Sequence, residues 1–454
     1  MEIPSPTSSP TKPRSRFPTI LRAGGRSASA FTLAKATLGA GALAMPSSFQ
    51  GAGIVLSVLL LIALGWMSAI SINMIGRAQT HSGRDTFEEI VRLYYNAWVG
   101  YVFEITMILF CFGTAVAYLI SIADLLNPVF EKWIGSQHEH DWYGVLLLNR
   151  TVFSALVTYI FLLPLSLFER INNVRWISFA GVMSVIFLAI CIVYLLIKHG
   201  IFSSPQDSTS TYLWPSKGFN GVISAASAYI FAYVCQVNVP HIYSEMVPFS
   251  ERNLRQVSYA SVALCFVVYV AVGTCGFLTY GSTTRGSIIQ SMRADFLEGN
   301  IFVTIAFILM GVAVLAAYPL NIYPLRAAVV GTVKGITGRR HLHRWVGPAI
   351  TFISVSLTLV VAIYLPDVKV VLDLVGSMTG SIICYIIPAG FCVRIVYFKR
   401  NKMVGKLKDE LAAEDDTSMD YPNWLSFGFI AFGAVFVVVG TYVSLVGVVE
   451  FYQK

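Results

Sequence analysis

Lys35, Gly39, Gly41 and Pro46 stand within one short stretch, KATLGAGALAMP, inside the first long apolar run of the chain. Glycine weakens a helix through the freedom of its unfolded backbone, and proline removes a donor and clashes with the preceding turn. In hydrocarbon a broken backbone survives only where protein or a wet cavity satisfies the freed N–H and C=O groups. A helix interrupted at mid-membrane therefore points to a small polar ligand or ion at the break, the arrangement found in secondary transporters. Small residues also let a kinked helix pack closely on its neighbours. This stretch alone leaves both readings open.

A later apolar run, FNGVISAASAYIFAYVCQVNVPHIYSEM, is rich in small residues and then carries Gln236, Asn238 and Pro240. Uncharged polar residues followed by proline predict a second interruption between Phe231 and Pro240. Paired interrupted helices in corresponding places of two halves are the sequence pointer to a transporter binding site. Four acids, Glu104, Asp124, Glu245 and Asp373, lie within or at the ends of apolar runs. Each is a candidate to pair Lys35, carry a proton or meet a cationic substrate, and each equally serves to cap or brace a helix. An intramembrane lysine costs about 2.5–3.5 kcal/mol on insertion scales and needs a partner or a wet cavity. The other reading of Lys35 is a side chain that snorkels to the cytosolic surface.

Other reactive residue types carry less. The pairs His138 and His140, and His341 and His343, have no third ligand in view, so no metal is expected. All seven cysteines fall in or beside apolar runs, with no disulfide framework and no CxxC pattern. No cofactor is expected. A membrane-embedded enzyme would need a convergent set, and no HExxH, GxSxG or P-loop occurs. A channel would need a repeated filter or ring of charge, and none is visible.

The elements that position these residues follow from composition. The 454 residues are 56% hydrophobic and 12% charged, against about 25% charged in soluble domains. Eleven apolar runs cover residues 31–52, 54–76, 98–130, 151–168, 176–197, 219–243, 258–280, 301–330, 346–365, 368–396 and 425–449. Runs this long and continuous predict an all-α polytopic membrane protein and exclude a β-barrel. Residues 1–29 read as a disordered cytosolic tail, with no secretory signal before Phe31. The membrane domain spans 30–450, with a first repeat over 31–197, a second over 219–396, a cytosolic loop at 397–424 and an eleventh helix at 425–449. Five helices per repeat make the halves inverted. The net charge of +8 does not signal nucleic-acid binding. It resides mainly in loops on one side, among them Arg77, Arg84, Arg92, Arg252, Arg255 and Arg339, which places the N-terminus in the cytosol.

The first run resembles the signature of the amino acid/auxin permease family, in which a polar residue precedes G-x-G-(x)n-P. Here those positions are Lys35, Gly39, Gly41 and Pro46. Tyr318-Pro319-Leu320-Asn321-Ile322-Tyr323-Pro324-Leu325-Arg326 resembles the family's P-x-x-x-x-P-x-R ending of helix eight. The likeness covers residues 31–449 and is nearest in flavour to the amino-acid permeases of trypanosomatid protozoa. It implies a LeuT-like fold and amino-acid transport by alternating access. An amino-acid carboxylate would meet N–H groups near Gly39, Ala40 and Gly41, with the Thr37 hydroxyl beside them. Carbonyls around Phe231 to Cys235 would meet the ammonium, and Phe231, Val234 and Cys235 would shape the side-chain pocket.

Lys35 departs from the sodium-coupled members, which typically carry Asn at this place and a hydroxyl in helix eight. Residues 305–331 contain neither Ser nor Thr. A fixed ammonium in place of the cation implies sodium-independent transport, proton-coupled or facilitative, with Asp124 and Glu245 as possible charge partners. Neutral amino acids are the default substrates, and basic ones are the other option. Residence is the plasma membrane or a lysosome-like organelle membrane. An amino-acid sensor using the same site without net transport is the alternative.

Overall fold

The computed structural model describes residues 24–134, 147–167, 174–201, 212–247, 249–337, 343–400 and 422–453. Most of the tail at 1–29 and of the loop at 397–424 lies outside them, as do His138, His140 and His341. Every regular element among the described residues is helical, and ten helices are long and apolar enough to cross a membrane. One further bent pair brings the number of spans to eleven.

That pair is α1. Its first half, α1a, is Arg26–Thr37. A 3-10 turn over Ala40–Ala44 leads into the second half, α1b, Met45–Ala52, and the two limbs bend by 52°. The other spans are α2, Ile54–Ser82; α3, Ala97–Ile134; α4, Arg150–Leu167; and α5, Val174–His199. Next come α6, in two pieces, and α7, Glu251–Tyr280. The last four are α8, Ile301–Thr337; α9, Val346–Tyr364; α10, Val368–Tyr397; and α11, Asn423–Glu450.

The first half of α6, α6a, is Gly218–Ala232 and the second, α6b, is Val239–Ser244. A 3-10 turn, Gln236–Asn238, lies between them. The prolines do not sit at the breaks themselves. Pro46 and Pro240 each occupy the first turn of the half that follows, where a missing N–H leaves no hydrogen bond unmade. The interruptions are made instead by Leu38–Gly39 and by Tyr233–Cys235, where helical dihedrals lapse.

Long α3 and α8 lie along each other, and α7 packs on both α1 and α5, so the broken helices are enclosed. Two short helices, Ile288–Ser291 and Arg293–Leu297, cross one end of the bundle between α7 and α8. Polar side chains start several spans. Asn149 Oδ1 accepts from Thr151 N at 3.0 Å at the start of α4, and Asp367 Oδ1 accepts from Lys369 N at 2.8 Å at the start of α10. Each satisfies a donor that the first helical turn cannot.

Candidate substrate site at two helix breaks

The two breaks touch. A Cβ added to Gly41 would lie 2.9 Å from both Cα and Cβ of Ala232, so only glycine lets the start of the 40–44 turn meet the end of α6a. Gly39 gives up its side-chain space to α3: a Cβ there would lie 2.6 Å from the Tyr118 hydroxyl. That hydroxyl also adjoins the Ala40 backbone and the Asn321 side chain of α8. The first bond of the turn runs from Ala42 N to Gly39 O at 3.2 Å. The N–H groups of Ala40 and Gly41 precede it and, as at any helix start, have no intrahelical acceptor. They form the positive end of the turn.

The carbonyls at the second break are mostly engaged. Phe231 O accepts from Val234 N at 3.0 Å, and Cys235 O accepts from Asn238 N at 3.0 Å. Tyr233 O accepts from Ser68 Oγ of α2 at 3.2 Å. Ala232 O accepts from the Tyr269 hydroxyl of α7 at 2.7 Å. The carbonyl of Val234 takes part in none of these bonds. Gln236 fills the space behind the break. Its Oε1 accepts from Cys235 N at 2.8 Å, and its Nε2 donates to Ser68 Oγ at 3.1 Å.

Tyr269 joins the two breaks. Its hydroxyl lies 2.8 Å from Thr37 O and 2.7 Å from Ala232 O. The side chain is fully buried and its ring meets Tyr233 edge-on, with centroids 5.5 Å apart. Thr37 turns its own hydroxyl back onto Leu33 O at 2.9 Å. The apolar part of the site is made by Phe231, Val234 and Cys235, all buried, with Phe110 of α3 beside Phe231 at 6.0 Å between ring centroids. A Cβ on Gly380 of α10 would come within 3.3 Å of Val234. Thus Thr37, Gly39, Ala40, Gly41, Phe231, Val234 and Cys235 gather around the two breaks.

Lys35 lies in the last turn of α1a. It is nine residues past Arg26, about 13 Å along the helix. Its side chain crosses to α5, where a Cβ on Gly181 would lie 2.8 Å from Nζ. Phe31 packs edge-on against Phe179 one turn away, with centroids 5.9 Å apart. Among the described residues Lys35 makes no hydrogen bond or ion pair. The expected charge partners are engaged elsewhere. Asp124 pairs with Arg150 of α4 at 2.7 Å and accepts from Gln290 at 3.0 Å. Glu245 is largely exposed beyond α6b, 3.9 Å from His241.

The family profile described as transmembrane amino acid transporter protein matches residues 24–446. The chain belongs to that family. Vacuolar amino acid transporter 6 of Saccharomyces cerevisiae is 28% identical over 66% of this chain and 64% of its own length, so the match spans just under two thirds of that relative. Vacuolar amino acid transporter 5 of Schizosaccharomyces pombe is 24% identical over 83% and 84%. Sodium-coupled neutral amino acid transporter 7 of Xenopus laevis is 25% identical over 91% and 86%. Among solved structures, a manganese transporter of Eremococcus coleocola aligns with a TM-score of 0.55 at 14% identity, over 93% of this chain and 86% of that one. That likeness carries the fold alone, and the fold is LeuT-like. The family and these relatives are multi-pass membrane transporters, not enzymes.

Sequence reasoning missed Tyr118 and Tyr269, named Asn321 only within the helix-eight motif, and took Gln236 only as a sign of interruption. Twenty-two tyrosines are spread over this chain, and nothing local marks the two whose hydroxyls reach a break. The polar run Gln236 to Asn238 was the available signal for Gln236, because a buried amide must find partners.

Proposed function

We propose that this protein moves amino acids across its membrane by alternating access at the paired breaks, independently of sodium, in a proton-coupled or facilitative mode. The Ala40 and Gly41 N–H groups receive the substrate carboxylate. The Val234 carbonyl receives the ammonium, and Phe231, Val234 and Cys235 enclose a side chain, neutral by default and basic as the other option. The observation that carries sodium independence is Lys35, an ammonium inside the membrane domain, beside Gly181 and with no counter-ion among the described residues. It stands at the C-terminal end of α1a, where helix carbonyls gather partial negative charge. A cation bound there would meet the same field, so the fixed charge takes its place. The Xenopus relative is named sodium-coupled, which makes the question experimental. The two yeast relatives are named vacuolar, which favours the organelle membrane of the two residences.

The test is uptake of a radiolabelled amino-acid panel into proteoliposomes, with sodium replaced by choline and a pH gradient imposed or collapsed. Uptake that survives in choline is expected. Lys35→Ala should lower it about tenfold or more, or make it respond to sodium. Strict sodium dependence of the wild type, or normal transport by Lys35→Ala at every pH, would remove the account.

A further inference from the structure

A second ionisable cluster lies away from Lys35. Asp373, in the second turn of α10, is 5% exposed. One oxygen, Oδ2, receives both Lys369 Nζ at 2.6 Å and the Ser224 hydroxyl of α6a at 2.5 Å. Lys369 also donates to Ser224, closing a triangle between α10 and α6a. The other oxygen, Oδ1, is buried and has no hydrogen-bond partner among the described residues. An ionised carboxylate offers about four acceptor positions, and leaving half of them bare in a dry interior is costly. A brace for two helices would not need the bare oxygen.

The surroundings give the cluster a route to water and a link to the site. Lys369 retains 17% side-chain exposure beside the 365–367 turn, on the face that loop charges predict to be outer. One turn further on, a Cβ on Gly376 would lie 2.9 Å from the Phe231 Cβ, so α10 presses on α6a at the break itself. The groups that face Asp373 are Lys369 and Asp367 from its own helix and turn, with Ser224 and Tyr229 from α6a. Tyr229 donates its hydroxyl to Ser57 at 2.8 Å. From the packed neighbours, Asp124 of α3 is paired with Arg150, and the exposed Glu450 lies at the C-terminal end of α11, which the Tyr452 hydroxyl ties to Tyr364 O at 2.6 Å on the side of the 365–367 turn. The 40–44 turn carries no ionisable side chain.

We propose that Asp373 is the proton-binding site that couples transport, with its bare Oδ1 as the atom that takes the proton. This rests on the proton-coupled form of the proposed function. With the face at the 365–367 turn open, one proton passes from water to Oδ1 and an O–H bond forms, while Lys369 and Ser224 stay on Oδ2. With the opposite face open, that bond breaks and the proton returns to water. Movement of α10 against α6a at Gly376 ties the step to the break that holds substrate.

The experiment uses the full chain in proteoliposomes and the radiolabelled amino acid that the wild type takes up fastest. Asp373→Asn should lose accumulation driven by an inward proton gradient, at least tenfold, while retaining exchange against internal amino acid. Exchange needs no net proton movement, so it also reports that the variant is folded. Ser224→Ala keeps the acid but removes one donor to its ionised form, so half-maximal uptake should move to more alkaline pH. Wild-type uptake indifferent to the gradient would overturn the coupling reading and this site together. Gradient-driven accumulation by Asp373→Asn, or an unmoved pH midpoint in Ser224→Ala, would overturn this site alone.

Discussion

At the scale of single residues, one hydroxyl serves two carbonyls. Tyr269 has a single O–H proton, yet Thr37 O and Ala232 O both lie within 2.8 Å of its oxygen. Both carbonyls are freed by the breaks and belong to buried residues. Removing the phenol oxygen leaves each without this donor, at about 1–3 kcal/mol per buried polar group. Tyr269→Phe should therefore lower the melting temperature of the purified protein and cut uptake about tenfold or more. Uptake assays at matched protein content check this, and a wild-type rate would mean that both carbonyls find another donor. The residue scale is also where the sequence was least legible. Lys35, Gly39 and Gly41 announce themselves because each is costly in a plain membrane helix. Tyr269 and Tyr118 do not, because a tyrosine in an apolar run is ordinary until a distant segment brings a carbonyl to its hydroxyl. The partners of Asp124 were hidden for the same reason: Arg150 and Gln290 come from other segments.

At the scale of elements, the two broken helices are built alike but closed differently. Each has a proline in the first turn of its second half, so the proline starts a helix rather than stopping one. Hydropathy and these prolines made both breaks legible to within a few residues, because the penalty for a broken helix in hydrocarbon is local. What hydropathy does not convey is which atoms fill each break. Gln236 plugs the second from inside its own chain segment, whereas the first is completed by Tyr118 and by Ala232 of the other break. The Gly41–Ala232 contact is the constraint that sets one break against the other. Gly41→Ala places a methyl 2.9 Å from Ala232 Cα and Cβ, so the two halves must separate. Such overpacking typically costs about 1–3 kcal/mol. Uptake should fall about tenfold, and Ala232→Gly in the same chain should recover part of it by removing one of the two opposing atoms. A double-mutant cycle on uptake measures that coupling; strict additivity would show that the contact is not shared.

At the scale of the whole molecule, a set of polar ties crosses one end of the bundle. Gln290, in the short helix Ile288–Ser291, donates to Asp124 of α3 at 3.0 Å. Lys132 of α3 donates to Phe296 O at 3.1 Å, and Arg293 pairs with Glu131. His199, at the end of α5, meets Asp295 at 2.7 Å, and Ser47 of α1b donates to Gly286 O at 3.1 Å. These ties join the 281–297 segment to three different spans, and none is visible in hydropathy. Under the alternating access proposed above, they would release together when this end opens. A hydrogen bond to a charged group is worth about 1.5–3 kcal/mol, and each ~1.4 kcal/mol is tenfold in a population. Gln290→Ala removes one tie without touching the breaks. It should raise the open population at this end about tenfold or more. The measurement is labelling of Ser47→Cys by a membrane-impermeant thiol reagent, compared with and without Gln290→Ala. Labelling should accelerate from the side the 281–297 segment faces, and added amino acid should change its rate if substrate and opening share one equilibrium. An unchanged labelling rate would mean that the remaining ties hold this end closed without Gln290.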